Sequence, residues 1–342
     1  MRWFFWHLSP PIFGSHDKIV RDSQSHWVFS TSVLSIPDRI FGSAYFFLEC
    51  ELPSKHFLAL ERHFTVIRIA IQGEPGSFSH EAATKFAINA QEPARIVPFA
   101  LSADVFAALV RNEVDGACIP IENSLAGSVS EHFDLMLSHE VAIVRETLLR
   151  IRHNLIAISG AEMNQIDRVF SHPVALAQCR RFLSEHPKME SFAFYDTAGS
   201  VKQLVELRDR HAAAIASAEA ASYYGAQILQ ADIEDNPENF TRFFFLRRAA
   251  EVEPNPYANK MSVAFTVENR VGSLVAALSE LAKEGTNLTK IESRPVHGRP
   301  WEYVFYVDCQ LHSPDDGARA IAALRSHCSM VKELGRYEEA IR

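Results

Sequence analysis

The chain has 342 residues, 47% hydrophobic and 22% charged, with 34 basic against 42 acidic side chains and a formal net charge of -8. That length suits two or three domains with cores of their own. An acidic balance with no Lys/Arg tract argues against nucleic acid as a main partner, because phosphate binding asks for a clustered basic face. Five cysteines, an odd number without a C-x-x-C pair, argue against a disulfide framework or structural zinc and suit a reducing compartment. The fifteen histidines include no H-E-x-x-H, and no run approaches the ~20 apolar residues of a membrane helix, so neither a metal nor a membrane is expected.

Residues 1–65 hold Trp3, Trp6 and Trp27 among scattered charges of both signs, with no period of 2 or 3.6. They match neither a secretory signal nor a transit peptide. The expectation is an upstream extension, poorly ordered or a mis-assigned start, on a cytoplasmic protein. Regular pattern begins at Val66. Val66 to Ile71 is a β-branched run ending in Gly73-Glu74-Pro75-Gly76, hence a strand and a turn, and Ser77 or Ser79 can cap a helix through Phe86. Further strands are expected at Ala117–Ile121, Leu155–Ile158, Ser191–Tyr195 and Ala212–Ala216. Helices are expected at Val129–Ser138, Pro173–Glu185, Ser200–Arg210 and Ala218–Tyr224. This alternation implies βαβ units and a mostly parallel sheet. About 180 residues divide more naturally into two α/β lobes, with the cleft between them as the default site.

Glu251 to Pro256, with two prolines, reads as the centre of a linker over residues 249–259. Beyond it come a strand (Met261–Val267), a helix (Gly272–Lys283), a hairpin (Leu288–Val296 with Trp301–Asp308), a helix (Pro314–His327) and a strand (Met330–Leu334). That is the βαββαβ, ferredoxin-like pattern.

Four segments place polar residues at strand ends or turns. Gly73 to Ser79 offers glycines and hydroxyls at a helix N-terminus, a setting for an anion. Glu122-Asn123-Ser124 follows a buried strand with a carboxyl, an amide and a hydroxyl. Ser171-His172-Pro173 opens a helix that carries Gln178 and Cys179, with Asp196-Thr197-Ala198 beyond. Asn239-Phe240-Thr241-Arg242-Phe243 brings a hydroxyl and a forked cation into a strand. Each also has an ordinary structural reading, as a turn, a cap or an edge pair.

Together and in order, these strings resemble the prephenate dehydratase family. The glycine turn ends in Phe78-Ser79, then come Pro120-Ile121-Glu122-Asn123-Ser124, His172-Pro173-Val174-Ala175-Leu176-Ala177-Gln178-Cys179, Asp196-Thr197-Ala198 and Asn239-Phe240-Thr241-Arg242-Phe243. The C-terminal unit resembles an ACT domain through Gly272-Ser273-Leu274-Val275 and Glu292-Ser293-Arg294-Pro295, with Val271 and Ser273 departing from the usual proline and alanine. The resemblance implies a monofunctional, cofactor-free dehydratase. Its domains would be a two-lobed, periplasmic-binding-protein-like catalytic domain at residues 66–248 and an ACT domain at 260–342. The activity would be decarboxylative dehydration of prephenate to phenylpyruvate, with L-phenylalanine as allosteric ligand and ACT domains paired in a homodimer or homotetramer.

By the same resemblance, Thr241 is the hydroxyl donor to the leaving oxygen. On its own chemistry Glu122 is a candidate proton source if burial raises its pKa, or else holds Thr241 or Asn123 in place, and Asn123, Ser124 and Gln178 are positioning groups. Arg242 is expected to pair with a substrate carboxylate, with Ser77, Ser79, His172, Thr197 and Phe243 completing the substrate site. The phenylalanine site would comprise Gly272, Ser273, Leu274, Val275, Glu292, Ser293, Arg294 and Pro295. Arogenate dehydratase is the nearest alternative, and a non-catalytic amino-acid-sensing module is a further one.

Overall fold

The structure is a computed structural model that describes residues 66–296, 298–299 and 301–340; the expected N-terminal extension lies outside them. The first lobe starts with β1 (Ile67–Gln72), α1 (Phe78–Ala90), β2 (Ala94–Phe99) and α2 (Ser102–Val110). It continues through β3 (Gly116–Asn123), β4 (Gly127–Ser128), α3 (Ser130–Ser138) and β5 (Val141–Arg150). The chain then builds a second lobe from β6 (Asn154–Ala157), β7 (Arg168–Ser171), α4 (Pro173–Ala177), α5 (Arg180–Glu185) and β8 (Glu190–Ala193). The lobe closes with α6 (Thr197–Leu207), β9 (Ala212–Ala216), α7 (Ala218–Tyr224) and β10 (Gln227–Gln230). Finally β11 (Phe240–Arg248) returns to the first sheet, whose order is β2-β1-β3-β11-β5 with β4 beside β3. The second sheet runs β10-β6-β9-β7-β8.

Both sheets are mixed, which corrects the expected mostly parallel arrangement. β1 runs parallel to β2 and β3, but the returning β11 is antiparallel to β3 and β5. A strand that re-enters from the other lobe approaches from the opposite end, so its direction is reversed. The single helix expected from Pro173 to Glu185 is two helices. The break at Gln178–Cys179 is held by Asp235, whose carboxylate accepts from the backbone N–H groups of Arg180 and Arg181 at 3.0 and 2.9 Å.

Two segments cross between the lobes, residues 151–153 and 231–239, and they are bonded to each other. Ile233 N–H donates to the His153 carbonyl at 2.8 Å, and Ile151 N–H to that of Asn239 at 2.8 Å. The lobes also meet at the turn after β1. Gly76 has φ +84°, and a Cβ there would sit 2.7 Å from the Ala220 backbone, so glycine is needed for both the turn and the close approach.

The C-terminal unit consists of β12 (Lys260–Thr266), α8 (Ser273–Lys283), β13 (Asn287–Pro295), β14 (Tyr303–Gln310), α9 (Pro314–Arg325) and β15 (Met330–Tyr337). Its strand order is β13-β14-β12-β15, all antiparallel, giving the expected βαββαβ fold. One face of this sheet buries Met261, Val263, Phe265 and Val307 against Leu281 of α8 and Ile321 of α9. The other face places Ala264, Val304, Tyr306, Leu334 and Tyr337 in a core shared with Phe133, Ile143 and Phe244 of the first lobe. Each large apolar side chain so buried stabilises by roughly 1.5–3 kcal/mol, so the C-terminal sheet is packed firmly on the back of the first lobe.

Candidate active site

Successive residues of a strand point to opposite faces, and this alternation sorts the candidate residues. On β11, Thr241 faces the α1 side, together with its register partners Asn123 on β3 and Leu149 on β5. The Asn123 amide nitrogen donates to the Thr241 hydroxyl oxygen at 2.9 Å and to the Asn239 side-chain oxygen at 2.8 Å. The orientation of that amide is set by its oxygen, which accepts from the backbone N–H groups of Leu125 and Ala126 at 3.0 and 2.8 Å. The network continues into the second lobe. Asn239 donates to the Gln178 side-chain oxygen at 3.0 Å, and His153 Nε2 lies 2.9 Å from the same oxygen. Burial pushes the His153 pKa down, against the opposing pulls of Gln178 and Glu234, so the ring is neutral and Nε2–H is the donor.

Thus Thr241, Asn123 and Gln178 come together across the two lobes. Asn239 and His153 join them, although sequence reasoning did not single them out. Asn239 stands inside the Asn239–Phe243 string; His153 carried no signal beyond being a lone histidine after a strand. Ser124 lies at the rim and ties the loop to β11. Its hydroxyl donates to the Glu238 carbonyl at 3.2 Å and accepts from Phe240 N–H at 2.9 Å.

Arg242 faces the other way. It is 6% exposed and bonded to Glu146 at 2.6 Å, Glu122 at 3.0 Å, Asp308 at 2.6 Å and the Tyr337 hydroxyl at 3.0 Å. Its expected place on a substrate carboxylate is therefore corrected: the guanidinium is occupied beneath the C-terminal sheet. Burial works against its charge, but Asp308, Tyr337 and Glu146 raise the pKa above the ordinary arginine value. Glu122 shares this rear face and also pairs with Lys290. Burial opposes its ionisation, yet Lys290 and Arg242 outweigh that and hold the carboxyl below the usual glutamate range. This corrects the expected raised pKa, and Glu122 is an ionised carboxylate directed away from Thr241.

The remaining candidates divide similarly. Ser77 caps α1 by accepting from His80 N–H at 3.3 Å, and Ser79 is buried in the first turn of that helix. His172 caps α4, with Nδ1 accepting from Val174 N–H at 3.2 Å. Thr197 is half-buried at the first position of α6 behind its cap, Asp196. Phe243 is 1% exposed in the core with Phe86 and Phe245, so it packs the sheet and does not line an open cleft. In the C-terminal unit Gly272 takes φ +85° before α8, Ser273 and Leu274 are half-buried, and Val275 is exposed. Along β13, Glu292 bonds Ser128 and Arg294 pairs with Asp134 at 2.6 Å, while Ser293 and Pro295 are exposed on the opposite face.

A cavity of about 320 Å³ lies between the lobes, lined by Phe78, Leu149, Arg150, Arg152 and Ser217 among others. Phe78 packs edge-on against His153, with ring centroids 5.7 Å apart. A larger hollow of about 600 Å³ is lined by His80, Ile88 and Tyr223 among others, and none of the catalytic or substrate-site candidates from the sequence lines either cavity.

Two lobes joined by two crossing segments, a polar network spanning them and a ferredoxin-like unit behind one sheet define a cleft enzyme with an appended regulatory-type domain. The prephenate dehydratase family model matches residues 69–251 and the ACT domain model residues 261–324. The chain belongs to the prephenate dehydratase family and is a dehydratase of the lyase class.

Among curated relatives, an Arabidopsis thaliana protein named arogenate dehydratase/prephenate dehydratase 2, chloroplastic, is 38% identical over 79% of this chain and 72% of its own. A solved prephenate dehydratase from Arthrobacter aurescens, in complex with L-Phe, superposes with a TM-score of 0.72. It is 30% identical, over 80% of this chain and 90% of that one. A structure described as GqqA, a novel type of quorum quenching acylases, gives a TM-score of 0.71 at 32% identity, over 79% of this chain and 97% of that one. Among the described residues, no helix is long and apolar enough to cross a membrane.

Proposed function

We propose that the chain converts prephenate to phenylpyruvate, carbon dioxide and water, as a cytoplasmic, cofactor-free enzyme of phenylalanine biosynthesis. The observation that carries this reading is the Asn123–Thr241 hydrogen bond. Because Asn123 donates, the Thr241 oxygen is the acceptor and its own proton is left to point at a ligand. In the reaction, the bond from the ring carbon to its carboxylate breaks and the electron pair shifts through the diene. The hydroxyl on the opposite ring carbon is thereby expelled and the ring becomes aromatic. A hydroxyl donor placed where that oxygen becomes anionic stabilises the transition state more than the ground state. Threonine is too weak an acid to surrender its proton, so it holds the departing hydroxide until solvent protonates it.

With Arg242 occupied, Arg150 is the cation for the substrate. It lines the interlobe cavity at the end of β5, where its Nε is buried without a hydrogen-bond partner and its Nη2 lies 3.9 Å from Glu234. The ACT unit takes L-phenylalanine at the start of α8 and along β13. In support of paired ACT domains in a homodimer or homotetramer, β13 bonds to β14 along one edge and is the outermost strand of its sheet.

The test is turnover by the purified chain, with prephenate and arogenate supplied separately and products identified by mass. Phenylpyruvate forming from prephenate at the higher kcat/KM is the expected result. Preference for arogenate would move the assignment to its amino analogue, and turnover of neither would overturn it.

A further inference from the structure

The reacting face of the first sheet and its rear face are built by the same residue pairs. Asn123 and Thr241 lie in front, and Glu122 and Arg242, one residue earlier and later, lie behind. The Arg242 guanidinium draws together three adjacent strands by bonding Glu122 on β3 and Glu146 on β5 from its own place on β11. Its other donors leave the lobe and reach Asp308 on β14 and the Tyr337 hydroxyl on β15. That hydroxyl is 2.6 Å from Ser262 Oγ, and Ser262 also donates to Asp308. Lys260 reaches Glu146 at 2.9 Å from the same sheet.

The β11–β3 ladder is interrupted at this point, while β11 stays in unbroken register with β5 from Phe240 to Phe245. The pairing of β11 with β3 slips between Arg242 and Phe243, so that Arg242 faces Glu122 while Phe243 faces Pro120. Pro120 has no N–H to donate, and its carbonyl is engaged by the His132 ring. A bulge disrupts the ladder locally, so main-chain bonds fix β11 to β5 more firmly than to β3 here. The bulge lies next to the residue whose hydroxyl must be aimed.

We propose that Asp308 and Tyr337 are positioning residues for the dehydratase reaction. Acting through Arg242 and Glu122, they fix β11 against β3 at the bulge and thereby set the Asn123–Thr241 hydrogen bond. The inference rests on the catalytic reading of Thr241 given above. It also supplies a route for regulation. Lys290, Glu292 and Arg294 alternate along the inward face of β13 and hold Glu122 on β3, Ser128 on β4 and Asp134 on α3, so displacement of β13 reaches β3 through Glu122.

The first variant is Tyr337→Phe. It removes one hydroxyl, keeps the ring against Phe244 and leaves the buried charges balanced. Loss of that hydroxyl, which bonds both Arg242 and Ser262, should lower kcat about 5- to 10-fold with KM changed by less than about twofold. Amide exchange should accelerate in residues 240–243 and 121–124 but not in β1 and β2. Asp308→Asn should show the same split, enlarged. Ile321→Val, in the core between the C-terminal sheet and its helices, lowers stability without touching the cluster and should leave both readouts unchanged.

Wild-type kcat and wild-type exchange in Tyr337→Phe and Asp308→Asn would overturn the proposal. So would an equal loss of kcat in Ile321→Val at matched loss of Tm. Should the wild type process neither prephenate nor arogenate, the catalytic reading fails. Exchange at residues 240–243 then decides the clamp alone, and no change in Tyr337→Phe refutes it.

Discussion

Thr241 and Arg242 are consecutive residues with opposite assignments. The first accepts a hydrogen bond from Asn123 across the front of the sheet, and the second is buried among Glu122, Glu146, Asp308 and Tyr337 behind it. On the proposed reading, catalysis and inter-domain packing share one strand, and the substrate's counter-charge comes from the interlobe cavity and not from Arg242.

Replacing Asn123 by aspartate tests the donor direction. The shape is kept, but an ionised carboxylate only accepts, so Thr241 would turn its proton toward residue 123. Steady-state kinetics should show kcat for Asn123→Asp reduced roughly 100-fold, in the range for removal of one oriented donor. KM should change little. A variant within threefold of wild type would contradict the assigned direction.

Arg242→Gln should act on folding before it acts on substrate affinity. Removing the cation leaves buried Glu146 and Asp308 without their shared partner. Breaking a buried ion pair in this way costs about 3–5 kcal/mol. Urea unfolding should report that loss. Arg150→Gln should instead raise KM roughly tenfold with stability near wild type. An Arg242→Gln protein of normal stability and greatly raised KM would return the guanidinium to the substrate.

Stability should fall on the acid side of neutrality because buried histidines are held neutral. Burial lowers the pKa of His132 and His153, and of half-buried His80, from the ordinary 6.5. Between the folded and unfolded values the unfolded chain binds more protons, so stability rises with pH. This contribution is complete above about pH 6.5 and is lost as pH drops toward the folded values. In His153→Gln one such group is gone. The stability gap between wild type and this variant should narrow from pH 8 to pH 5.5 in paired denaturation curves. A constant gap would contradict the neutral assignment.

Much of this was legible in the sequence because it lies in local pattern. The β-branched run before Gly73, the Pro173 helix start and the βαββαβ spacing after residue 260 each register within a short window. Strand direction was not legible, since β11 pairs with β3 across more than a hundred residues and returns from another lobe. Nor was the split of the 241–242 pair. Alternation says that neighbours diverge, but it does not say that a second domain waits behind the sheet to receive the arginine. The break at Gln178 escaped for a similar reason, because Asp235, which caps the following helix, is distant in sequence.

The most direct measurement compares kcat for prephenate among wild type, Thr241→Ser, which keeps the hydroxyl and loses a methyl, and Thr241→Val, which loses the hydroxyl at nearly constant volume. Serine should remain within about tenfold of wild type, while valine should fall by about 100- to 1,000-fold with little change in KM. Comparable activity in the valine and serine enzymes would show that the oriented proton of Thr241 does not drive departure of the hydroxyl.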